Sequence, residues 1–296
     1  MDKVSLPLVS VAVITYNSSK TVLETLNSIA DQTYPNLELI ISDDCSKDNT
    51  VALCREWLEN HKQRFSRAEL ITVDKNTGVS ANMNRAADAC RGEWVKDIAG
   101  DDVLLPECID IYLDYLKEHP NAVYLFSDAE LFGGDEETRK EMEEWYSSVG
   151  KSFFRWPTNE QYDYLTFERN PTPAATTFYN RKKIMALGVR NDERIPFYED
   201  KPKWINLLKK GVVFDYVDKK TVKYRISDSS LCRNTPELFL KSQAKFYLYY
   251  CFRNAYKKRS KKKALLQWIR AKKTIHDNSL GWRALCKTYR VVFNMK

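Results

Sequence analysis

The chain is short of several residue types, and each shortage excludes something. Nine glycines and ten prolines in 296 residues are too few for a low-complexity or linker-dominated protein. The three histidines, His61, His119 and His276, lie far apart, and the seven cysteines show no CxxC spacing. A His- or Cys-based metal site and a disulfide framework are therefore not expected, and the thiols should be reduced and mostly buried. No apolar run approaches the roughly 18 residues that would suggest a membrane-spanning helix. The first residues lack the cationic start and apolar stretch of a signal peptide, which gives the expectation of a cytoplasmic protein. Neither GxGxxG nor GxxxxGK[ST] occurs, so the usual glycine-rich phosphate cradles are missing. A nucleotide would have to be gripped by aspartates and asparagines, with a metal on its phosphates.

What is present suits a globular protein with an ample core: 43% apolar and 29% charged residues. Charge is uneven. Residues 251–296 hold fourteen Lys/Arg against one acid, Asp277, so this segment carries +13 and the remainder −6 of a net +7. Within 253–273 aliphatics and Trp268 alternate with cations. That composition fits a helix on an anionic bilayer, a nucleic-acid contact, or a packed helical pair with solvated lysines.

The first half alternates strand and helix. Apolar, β-branched residues 9–16 form a central strand, followed by a helix over about 21–30 and a second strand at 37–43 ending in Asp43-Asp44. A helix to about 60, a strand at 69–73, a turn at Asn76-Thr-Gly78-Val-Ser80 and a helix to 90 come next. The right-handed crossover rule then gathers Thr15, Tyr16, Asn17, Asp43, Asp44, Asn76, Gly78 and the following acid pair at the carboxyl edge of one sheet, where open α/β sheets bind ligands.

That acid pair closes Trp94-Val-Lys-Asp-Ile-Ala-Gly-Asp-Asp102, a short strand running into Asp101 and Asp102, with Gly100 expected to permit an unusual turn. Adjacent ionised carboxylates repel, and a divalent cation or a hydroxyl-rich ligand relieves them; a solvated turn is the plain alternative. Further on, a strand is expected at 122–128, an acidic exposed helix or excursion at 133–148, and an aromatic, proline-rich stretch over 150–180 that ends at 170–178 in an extended loop entering a strand. Glu199-Asp200 opens an amphipathic helix, where the helix dipole alone would favour carboxylates. Two strands, 212–216 and 221–226, close the globular part, and from Pro236 the chain turns helical.

With these residues assembled, the sequence resembles the family 2 glycosyltransferases of the GT-A fold. The resemblance rests on Val13-Ile-Thr-Tyr-Asn17, on 32–50, on Asn76-x-Gly-Val-Ser80 with Asn84, and on Gly92-Glu-Trp through Asp101-Asp102. It is strong over about 7–130 and fainter to about 230 through Glu199-Asp200 and Tyr224-Arg225. It implies an α/β fold with a mainly parallel sheet flanked by helices. A nucleotide-sugar half would span 1–130, an acceptor and base half 131–230, and a basic helical extension 231–296. It implies inverting transfer from a nucleotide-diphospho-sugar, a UDP-sugar if Asp43 holds a uracil edge, to a glycan or lipid-linked glycan. Thr15, Tyr16 and Asn17 would line the base pocket, with Asp44, Asn76, Gly78, Asn84 and Arg225 also on the donor side. Asp101 and Asp102 would hold Mn²⁺ or Mg²⁺ on the diphosphate, Asp200 would be the general base, and Glu199 would position it.

Three departures stand out. Ala99-Gly-Asp-Asp replaces the common Asp-x-Asp-Asp, Met83 stands where an arginine is common, and Ser227 lies near a frequent histidine. These motivate a rival reading as a degenerate sugar-nucleotide-binding scaffold on a membrane or nucleic acid. Asp200 argues against it. A sugar-phosphate nucleotidyltransferase would need a glycine-rich N-terminal signature that 9–17 lacks. The preferred reading is an enzyme with a nucleotide-sugar donor and a glycan acceptor, cytoplasmic or peripheral on the inner face of the plasma membrane, with no specific nucleic-acid partner expected.

Overall fold

The structure, a computed structural model, describes residues 6–168, 170–227, 237–254 and Ile269. One eight-stranded sheet organises it, in the order β3-β2-β1-β4-β7-β6-β8-β5. The left half is the expected crossover unit: β1 (Val9–Thr15), α1 (Val22–Ala30), β2 (Leu37–Asp43), α2 (Thr50–His61), β3 (Arg67–Thr72), α3 (Val79–Ala89) and β4 (Trp94–Ala99). These four strands are parallel. β1 and β2 are buried along almost their whole length, which is why their sequences run apolar without alternation. The register sets Thr15 beside Asp43, Asp43 beside Thr72 and Ile14 beside Ala99. Four strands thus end level, and the loops that follow them share one edge.

The right half is β5 (Val103–Leu104), α4 (Cys108–Glu118), β6 (Tyr124–Phe132), α5 (Glu136–Arg155), α6 (Thr158–Phe167), β7 (Phe178–Asn180), α7 (Arg181–Ala186), α8 (Asp200–Lys209) and β8 (Phe214–Arg225). Here the sheet is mixed: β7 runs antiparallel between β4 and β6, while β6 pairs parallel with β8. One expectation is corrected. The strands read at 212–216 and 221–226 are one long strand, bent where its register against β6 shifts at Ser127, Asp128 and Ala129. The aromatic stretch 150–180 also holds a ten-residue helix, α6, and from about 170 it runs into β7, where a loop entering a strand was expected.

Helices cover both faces. α1, α2 and α4 pack with Leu26, Trp57, Tyr112 and Phe178 on one side; Ala86 of α3, Phe153, Leu165 and Trp204 build the core on the other. That second core continues past Pro236: in α9 (Glu237–Phe246) and the π-helical turn Tyr247–Phe252, Phe246, Tyr250 and Cys251 are buried. Tyr250 bonds Asn206 and Asp192, and Lys245 bonds the Arg194 carbonyl. The start of the C-terminal extension therefore belongs to the core. Of the basic segment 253–273, all but Arg253, Asn254 and Ile269 lies outside the described residues. Among the described residues no helix is long and apolar enough to cross a membrane. Among the described residues Cys54, Cys90, Cys108 and Cys251 are buried and Cys45 is half-buried.

Candidate active site

Asp101 and Asp102 follow β4 at the carboxyl edge. Gly100 is needed there for closeness, not for the unusual turn expected of it. Its φ is not positive, but a Cβ would lie 2.8 Å from Thr15 Cγ2 at the end of β1. The turn is pinned from two sides. Thr21 Oγ1 donates to the Gly100 carbonyl and Thr25 Oγ1 to that of Asp102, both at 2.7 Å. From β8, Arg225 donates its backbone N–H to Asp102 Oδ1 at 2.9 Å and its Nε to the Asp101 carbonyl at 2.7 Å, while its Nη2 pairs with Glu24.

Arg225, expected on the donor side, is therefore spent in this structure on positioning the acid pair. Asp102 is buried and Asp101 half-buried. Burial holds both carboxyls above the usual range, and the Asp101 charge pushes Asp102 further up. A divalent cation would relieve that repulsion. No group of three or more His, Cys, Asp or Glu among the described residues could hold a metal by itself. Two carboxylates completed by substrate phosphates are the usual arrangement for Mg²⁺, and the pair fits it.

The loops beside the pair are cross-braced. Asp43 is fully buried and accepts from Thr15 Oγ1, Ser46 N and Ser46 Oγ at 2.5–2.8 Å. Asn17, at a positive φ of 52°, accepts from Lys47 N and donates from its own backbone N–H to Ser46 Oγ. Between them Tyr16 stands 48% exposed. Asp44 takes the N–H groups of Thr77 and Gly78 at 2.9 and 2.7 Å, and the Thr77 hydroxyl. Asn76 Oδ1 also caps Gly78 N.

The amide of Asn84, read as a donor contact, is instead committed to the far side of α3. It bonds Asn191 N, Asn191 O and Glu193, so here it shapes the 191–193 loop. Met83 leaves no arginine at its position, but Arg85 reaches Thr77 Oγ1, Asn82 Oδ1 and Ser42 Oγ.

The second acid pair hangs from this bracing. Gly78, at φ 89°, ψ 161°, lies so close to Pro196 that a Cβ would meet Pro196 Cβ at 2.5 Å. Ser80 N and Oγ bond the Pro196 and Ile195 carbonyls at 3.0 and 2.7 Å. Three residues beyond Pro196, Glu199 and Asp200 open α8. Both are half-buried. Burial and the Asp200 charge push Glu199 up to about 8, and burial also raises Asp200. Asp200 receives Lys201 N on Oδ1 at 2.7 Å and the Asn170 amide on Oδ2. These donors oppose the effect of burial on Asp200, while Glu199, raised to about 8, keeps a proton near neutrality.

Three groups escaped the sequence reading. Lys203 Nζ, one turn after Glu199, lies 3.4 Å from Asp97 Oδ2 and 4.4 Å from the centre of the Tyr179 ring, tying α8 to β4. Lys96, fully buried, donates to the Asp97 and Ala175 carbonyls. Asn170 holds Asp200. The available signal was a lone lysine inside an apolar strand and, for Lys203, its i+4 spacing from Glu199.

Comparison with known proteins agrees with this geometry. Residues 10–187 match the profile of glycosyl transferase family 2. The putative teichuronic acid biosynthesis glycosyltransferase TuaG of Bacillus subtilis (strain 168) is 25% identical over 228 residues, 77% of this chain and 82% of that protein. Escherichia coli chondroitin synthase is 34% identical over 112 residues, 38% of this chain and 16% of the synthase. Among solved structures, Staphylococcus aureus TarS 1–349 in complex with UDP-GlcNAc superposes with a TM-score of 0.62. The match covers 95% of this chain and 84% of that one at 18% identity, a likeness of fold.

Proposed function

The chain belongs to glycosyl transferase family 2 and is a nucleotide-sugar-dependent glycosyltransferase; from that premise we propose inverting transfer from a UDP-sugar to a hydroxyl of a glycan or lipid-linked glycan, with Asp200 as general base. The observation that carries the reading is the pair of carboxylate pairs, Asp101/Asp102 on the strand edge and Glu199/Asp200 on the braced start of α8, all raised by burial, with Asp102 and Glu199 pushed further by the charge beside them. Paired, perturbed acids in separate places suit two tasks. The readings as nucleotidyltransferase and as binding scaffold are set aside.

Asp101 and Asp102 would hold Mn²⁺ or Mg²⁺, which when bound offsets the charge gathering on the leaving diphosphate. Asp200, ionised, takes the proton of the acceptor hydroxyl. The freed oxygen attacks the anomeric carbon, the bond to the diphosphate oxygen breaks, and the nucleotide departs with that electron pair. Glu199, keeping its proton near neutrality, donates a hydrogen bond to the acceptor and spares Asp200 a second full charge beside it. Tyr16 offers its exposed ring to the nucleotide base, and Asn76 with Gly78 brings a braced turn to the donor side.

The test is Asp200→Asn. Calorimetric UDP binding with Mn²⁺ should change little, while turnover drops by roughly two to four orders of magnitude. Turnover close to wild type would remove Asp200 as the base.

A further inference from the structure

We propose that Asn170 is a positioning residue for the transfer, its side-chain amide fixing the orientation of the Asp200 carboxylate from a strut anchored to the strand that leads into Asp101-Asp102. The inference rests on Asp200 being the base. Its first support is the distribution of donors: Lys201 N serves Oδ1 and Asn170 Nδ2 serves Oδ2, so each oxygen has one fixed partner and keeps a lone pair for the acceptor.

The second support is what the amide forgoes. Asn170 Oδ1 is buried without a hydrogen-bond partner, an arrangement that costs stability. An amide serving only to fill space could turn either way. This one is held in the orientation that aims its donor at the carboxylate.

The third support is the strut. Pro171 and Pro173 fix their own φ and keep Asn170 and Thr172 extended. Thr172 Oγ1 bonds the Ser127 carbonyl of β6 at 3.3 Å, and Tyr112 bonds the Thr176 carbonyl at 2.6 Å. The buried ammonium of Lys96 on β4 bonds the Ala175 carbonyl. One end of the segment is thus locked to the strand that leads into the acid pair, and the other carries the group that holds the base.

The charged groups bearing on Asp200 are Lys201 and Glu199 beside it. Lys203 acts on Glu199 and is tied to Asp97 of β4. From the 168–173 segment the Glu168 carbonyl takes the Lys201 ammonium. α6 brings Tyr162 to Lys209, at the far end of α8.

Removing a donor from the ionised form raises proton affinity. The experiment is a carbon-13 titration of the Asp200 carboxyl in the full chain, assigned by its disappearance in Asp200→Asn. Asn170→Ala should move the midpoint upward by about one pH unit, tenfold in proton affinity. Asn170→Asp, nearly isosteric and so available if the truncation unfolds the chain, should move it further by adding a like charge. A midpoint unmoved in a folded variant overturns the proposal and leaves the base reading standing. Turnover surviving in Asp200→Asn, with the midpoint still shifted in Asn170→Ala, would sink the base and not the contact.

Discussion

Replacing Gly78 with alanine tests whether the two acid pairs are held together by the 78/196 junction. At φ 89°, ψ 161° the residue occupies a region that is nearly glycine's alone, worth about 1–3 kcal/mol to any other residue. The new Cβ would also stand 2.5 Å from Pro196 Cβ and 2.8 Å from Pro196 O, so the 195–196 segment must move. That movement strains the bonds Ser80 makes to Pro196 O and Ile195 O, each worth roughly 0.5–1.5 kcal/mol. The loss should be about 2–6 kcal/mol, a fall in Tm of roughly 5–20 °C for a chain of this size.

Gly188 is the internal control. Its φ is also positive, at 65°, but nothing lies within 4 Å of an added Cβ, so alanine there should cost only about 1–2 kcal/mol. Function should separate the variants further, because Pro196 stands three residues before Glu199. A shift of the order of 1 Å at a reacting group costs about a hundredfold in rate. Below its Tm, Gly78→Ala should therefore lose turnover by about that factor, and Gly188→Ala should not. Equal Tm losses in the two variants, with turnover intact in both, would refute the argument that this contact positions the pair.

Asp102→Asn should abolish the strengthening of UDP binding by Mn²⁺ in calorimetry while raising the Tm of the metal-free protein, since it removes one of two repelling buried carboxyls; unchanged metal dependence would count against the metal assignment. Stability should also follow pH. Asp101, Asp102, Glu199 and Asp200 are all raised by burial. Their contribution is fully present below the unfolded carboxyl range near pH 4 and is lost as pH rises through the folded values, up to about 8 for Glu199. The metal-free Tm should fall between about pH 5 and 8, and Glu199→Gln should flatten that fall. Glu38, Asp48 and Asp192 are lowered instead and lose stability only in acid, outside the window. A Tm independent of pH across this range would contradict the burial of these acids.

The half of the fold that could be read in the sequence is the half where burial is two-sided. β1 and β2 contain nothing to confuse their period, and once four strands are parallel their loops must converge. The antiparallel direction of β7 and the continuity of β8 could not be seen that way. A three-residue strand leaves no periodic trace, and the bend in β8 depends on a register shift against β6. α6 was hidden because Tyr162, Tyr164 and Phe167 fall between Pro157 and Pro171 in a stretch that reads only as aromatic and proline-rich. At the site, the sequence indicated which acids cluster but not which way each polar group faces. Asn84 looks like Asn76 on paper, yet one amide turns to Asn191 and the other caps Gly78. That choice belongs to tertiary packing.

The same accounting of partners sharpens the nucleotide expectation. Asp43, buried between β1 and the Cys45–Ser46 turn, already accepts from Thr15 Oγ1, Ser46 N and Ser46 Oγ. A carboxylate has about four lone-pair sites, so one remains. That one can serve a ligand only if the ligand brings a donor, because another acceptor placed there would leave buried oxygens facing each other. Uracil presents N3–H at the middle of its pairing edge; cytosine presents a bare N3. If Asp43 meets the base, UDP should bind more tightly than CDP by about 1–3 kcal/mol, the cost of leaving such a group unpaired, and Asp43→Asn should narrow the gap, since an amide can turn its N–H to the cytosine. Calorimetry with both nucleotides in Mn²⁺ decides it. Equal affinities would mean that Asp43 only braces its loop, and that the base is selected elsewhere.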